Sequence, residues 1–123
     1  MALGELRYEE VGDKRIAYVD GGGVAVADLQ DAIDLVGNAA FAGADGVVLE
    51  SDQLPPEFFD LSSGFAGEVL QKFVNYRVRL AVVGAPPART SEALAAFMRE
   101  SNAGSAVRFL PDHAAARAWL EQA

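Results

Sequence analysis

Short apolar runs rich in β-branched residues alternate along the chain with segments whose apolar residues recur at helical spacing. The runs predict buried strands and the periodic segments predict amphipathic helices. The predicted strands are Leu6–Val11, Arg15–Asp20, Gly46–Glu50, Val78–Val83 and Val107–Leu110. The predicted helices are Leu29–Ala40 after an Asp28 cap, one from about Ser62 to Tyr76, one capped by Ser91 and one capped by Asp112. This order is typical of an α/β domain with a mainly parallel mixed sheet of about five strands, an antiparallel edge hairpin and about four helices.

The turn and the crossovers predict where the strand ends meet. Gly12-Asp13-Lys14 separates the first two strands and indicates a hairpin. The later strands alternate with helices, and right-handed crossovers bring the carboxyl ends of parallel strands to one edge. We therefore expect Asp20, Glu50 and Gly84 at this edge, beside the start of the helix at Ser62. Open sheets of this kind usually bind their ligands there.

Composition limits the classes of function. The chain has 123 residues, 51% of them hydrophobic, so residues 1–123 are expected to form one domain. The formal charge of −8 predicts a surface that repels nucleic acid and anionic membranes and suits a neutral or basic partner. The absence of cysteine excludes disulfides and thiolate chemistry. Because His113 is the only histidine, zinc is not expected, and we predict neither a metal site nor a cofactor.

Targeting signals are not evident in the sequence. Met1–Glu10 carries acidic residues and lacks the apolar core of a signal peptide. The longest apolar runs, Gly46–Leu49 and Leu80–Val83, are too short to cross a bilayer. The sequence therefore predicts a cytoplasmic protein.

The segment Phe58–Gly67 places a carboxylate and two hydroxyls at the predicted start of a helix. Such a position suits an anion or a regulatory modification, because the helix dipole and free amides favour negative charge. Asp60 is expected to cap the helix by accepting from the amide of Ser62 or Ser63. The alternative is a phosphorylation switch, in which a phosphate adds about −2 charge at the helix start.

Two glycines follow within the same segment. Gly64 and Gly67 lie three residues apart, so inside a helix they share one face. In a helix each glycine lowers the stability by about 1 kcal/mol relative to alanine, so we expect each to serve a structural or binding role. We weigh close packing on the sheet against a docking surface for a partner.

Neighbouring phenylalanines occupy the predicted loop before this helix. Phe58 and Phe59 follow Pro55-Pro56-Glu57, and adjacent aromatic side chains in a loop are not easily both buried. We expect one to fill the core and the other to line a pocket or interface, with burial of both as the alternative. A small apolar ligand held between the sheet and Phe58, Phe59 and Phe65 is therefore a second candidate function.

Acidic residues give the third candidate. Glu50, Asp52 and Asp60 are the carboxylates most expected to converge, and paired acids perform acid–base catalysis or hold a divalent cation. Solvated surface acids are the simpler interpretation in so acidic a chain. His113 is expected to be a surface residue.

Gly46–Ser51 followed by Phe59–Phe65 resembles the STAS domains of bacterial anti-sigma-factor antagonists. In those domains a strand leads into a helix start of sequence Asp-Ser-Ser-Gly-Leu-Gly. The downstream order is also similar, with a strand at Leu80–Gly84, a helix, a strand at Val107–Leu110 and a short terminal helix. The resemblance implies a single STAS-like domain that docks a protein partner. It further implies that Ser63, by position the second serine of the motif, is the phosphorylated one.

The chain also resembles, over nearly its whole length, a small bacterial family known as domain of unknown function 4180. The segments that carry this resemblance are Asp31–Leu35, Pro56–Leu61, Gly64–Glu68, Gln71–Phe73 and Glu100–Asn102. The family brings no defined activity. We therefore predict a regulatory or binding module that docks a protein through Ser62–Gly67. The alternatives are a carrier of a small apolar ligand and an enzyme that uses Asp60 and Glu50. Assembly into a homo-oligomer is compatible with each of these functions.

Overall fold

The protein is described by a computed structural model that covers residues 5–21, 23–85 and 90–122. Within them one sheet contains five strands in the order β1-β2-β3-β4-β5. The strands are β1 (Leu6–Val11), β2 (Lys14–Val19), β3 (Gly46–Glu50), β4 (Arg79–Val83) and β5 (Val107–Leu110). The helices are α1 (Leu29–Phe41), α2 (Pro56–Phe59), α3 (Phe65–Tyr76), α4 (Glu92–Ala103) and α5 (His113–Gln122). The predicted α/β class, with a mixed and mainly parallel sheet, is confirmed.

β1 and β2 form the predicted antiparallel hairpin, but its turn is shorter than expected. Val11 lies opposite Lys14, so Lys14 belongs to β2 and the turn consists of Gly12-Asp13 alone. Gly12 has φ +63, a value that glycine adopts without strain and that two-residue hairpin turns require. The prediction of a three-residue turn was wrong by this one residue.

The parallel strands are covered by helices on both faces. β2, β3, β4 and β5 pair in parallel, each with the next. Residues on one face pack with α1, α3 and α4 in the larger hydrophobic cluster, and alternate residues pack with α5 in a smaller one. Alternation of side chains along a strand explains the division.

Helix caps and helix phases follow the sequence closely. Asp28, Ser91 and Asp112 each accept a hydrogen bond from a first-turn amide, at 2.9, 3.0 and 2.9 Å. In α3, Val69 and Phe73 are buried, and Phe65 and Leu70 are half-buried against the larger cluster. The predicted inner stripe of this helix is therefore confirmed.

The chain between β3 and α3 is more structured than expected. Two 3₁₀ turns, Ser51–Gln53 and Leu61–Ser63, flank the short helix α2, where a loop was predicted. The predicted start of α3 at Ser62 was wrong, because Gly64 has φ +76 and interrupts the right-handed path. α3 begins at Phe65.

Gln53 fixes this segment to the carboxyl end of the sheet. Its buried amide donates to the Val19 carbonyl at 2.9 Å and accepts from the Glu50 amide at 2.9 Å. Its backbone carbonyl accepts from Ala25 and Val26. One buried side chain thus joins the ends of β2 and β3 to the following loops.

In the portion of the chain that the structure describes, no helix has the length and apolar character needed to cross a bilayer.

Candidate functional site

Asp60 lies at the end of α2 and caps the 3₁₀ turn Leu61–Ser63. Its carboxylate accepts from the Ser62 amide at 3.1 Å and from the Ser62 hydroxyl at 2.6 Å. The predicted cap is confirmed, although it serves a 3₁₀ turn rather than α3. Asp60 and Ser62 are both exposed.

Ser63 connects three short elements through its hydroxyl. The Ser63 Oγ atom lies 2.7 Å from the carbonyl oxygens of both Glu57 and Asp60, and its single proton is donated to this pair. The same oxygen accepts from the Phe65 amide at 3.1 Å. We call this arrangement of Glu57, Asp60, Ser63 and Phe65 the Ser63 junction. It joins α2, the 3₁₀ turn and the first turn of α3, and Ser63 itself is exposed.

The two glycines do not pack on the sheet. A Cβ atom built on Gly64 or on Gly67 has no neighbouring atom within 4 Å, and both residues are exposed. The expected close packing was therefore wrong for both. Gly64 is needed for its φ of +76, whereas Gly67 leaves a bare patch on the exposed face of α3. The alternative interpretation, a docking surface, stays a prediction.

Phe58 fills the core, as predicted for one of the two neighbouring phenylalanines, whereas a pocket or interface lined by Phe59 stays a prediction. Phe58 is fully buried, and Phe59 is half-buried and packs edge-on against it with ring centroids 5.2 Å apart. The ring of Phe58 also packs near that of Phe109 of β5, with ring centroids 6.4 Å apart. Phe65 is half-buried. The segment that carries the polar residues is thus anchored to the core by Phe58.

Three shallow pockets are lined entirely by described residues, and none of these three is lined by Phe58, Phe59 or Phe65. The one beside the end of α3 has a volume of about 210 Å³. The other two, beside α4 and β5, measure about 410 and 470 Å³. The ligand-carrier function gains no support from these three pockets.

Of the carboxylates that were expected to converge, Glu50 and Asp60 each contact a different residue. Glu50 lies 3.6 Å from Nε2 of His113, and both side chains are about half exposed. Asp60 is instead bound to Ser62. Within residues 5–21, 23–85 and 90–122, no three histidine or acidic side chains come close enough together to hold a metal ion.

A second polar cluster, not expected from the sequence, surrounds Tyr18 on the face of the sheet that α5 covers. The Tyr18 hydroxyl donates to Glu9 at 2.8 Å, and the Arg7 guanidinium lies 4.5 Å from the ring centroid. The His113 ring is stacked on Tyr18 with centroids 6.0 Å apart. Burial and the hydrogen bond to Glu9 raise the pKa of Tyr18 to about 12. Tyr18 is therefore a neutral hydrogen-bond donor at ordinary pH.

Ion pairs extend this Tyr18 cluster to neighbouring elements. Arg117 of α5 lies 3.2 Å from Glu9, and Arg7 lies 3.1 Å from Asp20. The cluster therefore ties β1, β2 and α5 together. Its signal in the sequence is the spacing of Arg7 and Glu9, which puts both on one face of a strand. This spacing alone does not show that β2 places Tyr18 beside these two residues, or that α5 packs over them.

Comparison with known proteins gives a family but no activity. Residues 11–120 match the family model described as "Domain of unknown function (DUF4180)". No curated protein and no solved structure matches the chain significantly. The matched region covers most of the chain and includes β2 to β5, the Ser63 junction and most of α5. The chain therefore belongs to the DUF4180 family, a domain of unknown function.

Proposed function

We propose that this protein is a non-enzymatic, cytoplasmic regulatory module, a single STAS-like domain that docks a protein partner through Ser62–Gly67. We call these residues the docking surface. Its exposed residues, Ser62, Ser63, Gly64 and Gly67, are small or polar, whereas Phe65 is half-buried and Ala66 is buried. Since α3 and the buried Phe58 anchor its two ends, the surface is held in one shape before a partner arrives. Such preorganisation lowers the entropy cost of docking.

The observation that carries the proposal is the double role of the Ser63 hydroxyl. It donates to the carbonyls of Glu57 and Asp60 and accepts from the Phe65 amide. A phosphorylated serine has no hydroxyl proton to donate, and its oxygens repel the two carbonyls and the Asp60 carboxylate. Phosphorylation at Ser63 is therefore expected to open the junction. The resemblance of Ser63 to the phosphorylated serine of STAS domains supports the same assignment.

Charge suggests the chemistry of the partner. Glu57, Asp60 and Glu68 are exposed around the docking surface, and the chain carries a formal charge of −8. A protein segment with lysine or arginine side chains complements such a surface, whereas an acidic partner is repelled. We therefore propose a basic partner, released when Ser63 gains a phosphate.

Site-specific photo-crosslinking in the native host tests this function. A benzoyl-phenylalanine at Gly67 has room, because no atom lies within 4 Å of a Cβ built there. The matched control carries the same group at Ala118, an exposed position of α5. We expect one basic protein to be captured from position 67 and not from position 118. Phosphoserine at position 63 should abolish that capture.

Two results contradict the proposal. One is equal capture from both positions, which indicates nonspecific contact. The other is capture from position 67 that phosphoserine at position 63 leaves unchanged, together with no phosphate at Ser63 in protein isolated across growth phases. Either result reduces the Ser63 junction to a structural cap.

A further inference from the structure

β1 lies at one edge of the sheet, and within the described residues it pairs only with β2. The Asp20 amide donates to the Glu5 carbonyl at 2.9 Å, which identifies Glu5 and Asp20 as a hydrogen-bonded pair. Because such pairs alternate along an antiparallel ladder, Arg7 and Glu9 also bond toward β2. Leu6, Tyr8 and Glu10 therefore point their backbone N–H and C=O groups away from the sheet. We call these outward groups the β1 edge.

The side chains beside the β1 edge lie on two faces. Arg7 and Glu9 lie on the α5 face, where they contact Tyr18. Tyr8 lies on the other face and keeps 38% of its surface exposed. An exposed strand edge with unused backbone groups is a template for pairing with another strand.

We propose that the β1 edge pairs antiparallel with the β1 edge of a second copy of this chain, about a two-fold axis at Tyr8. A two-fold axis perpendicular to the sheet keeps each face on its own side, so residues from the same face lie opposite each other. With the axis at Tyr8, Leu6 lies opposite Glu10 of the second copy, and Tyr8 lies opposite its own equivalent. All three residues with outward backbone groups then gain hydrogen-bonding partners.

Charge selects this register over its neighbours. With the axis at Tyr8, Arg7 of each copy lies opposite Glu9 of the other, in pairs without backbone hydrogen bonds, where side chains approach most closely. An axis at Arg7 sets two arginines against each other, and an axis at Glu9 sets two glutamates against each other. Like charges directly opposite are destabilising. The alternation of Arg7 and Glu9 therefore favours an axis at Tyr8 over an axis at Arg7 or at Glu9.

The Arg7 and Glu9 side chains, which would pair between the two copies, are accessible to solvent. The Arg7 side chain is 55% exposed and the Glu9 side chain is 34% exposed. Each is already oriented by an ion pair of its own chain, Arg7 with Asp20 and Glu9 with Arg117. In the dimer the two Tyr18 clusters become one continuous charged row across the joined sheets.

Sedimentation and disulfide trapping together test the dimer. The chain contains no cysteine, so a single introduced thiol reports on one position. Hydrogen-bonded antiparallel residues have Cα atoms about 5.5 Å apart, within the range that a disulfide bridges. Tyr8→Cys should therefore cross-link to its own equivalent. In Glu10→Cys the two thiols lie four residues apart along the paired strands, roughly 13 Å at the rise of a strand, and cannot bridge.

We expect the wild-type protein to sediment with twice the 13.0 kDa mass of one chain. Tyr8→Cys should form disulfide dimers in a glutathione redox buffer at least tenfold faster than Glu10→Cys. A mixture of Leu6→Cys and Glu10→Cys should cross-link, although neither variant does so alone. Far-ultraviolet circular dichroism checks that each variant keeps the fold.

Three results overturn the proposal. The first is a wild-type protein that stays monomeric up to millimolar concentration. The second is a dimer in which Tyr8→Cys and Glu10→Cys cross-link at equal rates. The third is a dimer that Phe41→Ser dissociates, since Phe41 is 95% exposed at the end of α1 and offers a competing surface.

Discussion

Gly46 and Leu120 meet where β3 passes beneath α5. A Cβ atom built on Gly46 lies 2.6 Å from Cδ2 of Leu120 and 3.1 Å from its Cδ1. Leu120 is 1% exposed, so its side chain has little space into which to move. The absence of a side chain at Gly46 therefore lets α5 approach the sheet.

Gly46→Ala should destabilise the protein by about 1–3 kcal/mol, the usual cost of overpacking a core. Urea unfolding followed by circular dichroism measures the change. The double variant Gly46→Ala/Leu120→Val should recover part of the loss, because the shorter side chain makes room for the new methyl group. An unchanged midpoint for Gly46→Ala would show that α5 shifts freely over β3.

Gly67→Ala should instead stabilise the protein by about 0.5–1 kcal/mol, because alanine has the higher helix propensity and the position is open. Gly64→Ala is the matched contrast, and it should destabilise by about 1–2 kcal/mol, since alanine adopts a φ of +76 only with strain. Thermal unfolding of both variants separates the two roles. Loss of stability in Gly67→Ala would mean that the exposed face of α3 packs against something.

Phe58→Ala should lower the free energy of unfolding by about 3–5 kcal/mol, as expected for a fully buried aromatic residue. Leu70→Ala should cost clearly less, because Leu70 is only half-buried on α3. Urea titration of the two variants gives the comparison. Similar losses would contradict the assigned phase of α3.

Ionisation of Tyr18 makes the stability of the folded protein depend on pH in the alkaline range. Its pKa is raised from 10.0 to about 12 in the folded protein, so the folded state keeps the phenol proton longer than the unfolded state does. The resulting stabilisation is complete below pH 10 and is lost as the pH rises toward about 12. Tyr18→Phe should reduce the slope of stability against pH in this window. Glu9→Gln should lower the pKa of Tyr18, measured by near-ultraviolet absorbance.

Loss of the Ser63 hydroxyl should lower the free energy of unfolding, because the Ser63 junction depends on it. Ser63→Ala removes a hydroxyl that both donates and accepts, and should cost about 0.5–1.5 kcal/mol, the net value of a typical hydrogen bond. Ser63→Thr keeps the hydroxyl and should cost less. Ser63→Asp lacks the donor and should lose at least as much as Ser63→Ala. Wild-type stability in Ser63→Asp would show that the junction does not depend on donation.

The sequence predicted the sheet well because its evidence is local. β-Branched runs mark β3 and β4, and the caps Asp28 and Ser91 mark helix starts through contacts within three residues. α2 has four residues, too few for a helical repeat to show. The start of α3 was misplaced because a sequence reveals a glycine but not its φ.

The candidate site was less predictable than the fold. The Asp60 cap depends on a neighbour two residues away and was expected. The Tyr18 cluster depends on the β1–β2 register and on the position of α5, with contacts between residues as far apart as Glu9 and Arg117. Apart from the strand spacing of Arg7 and Glu9, tertiary contacts of this range leave no pattern in a single sequence. The same holds for the open space around Gly67.

The strands follow one another across the sheet in chain order, and this leaves the two faces unequally protected. In the described part of the chain α1, α3 and α4 cover one face, whereas the apolar side chains of the other face pack with α5 alone. Detachment of α5 would expose Val48 and Ala81 to water without breaking the pairing between strands. Such a partial opening requires less free energy than global unfolding. Amide hydrogens of α5 should therefore exchange with solvent before those of α3.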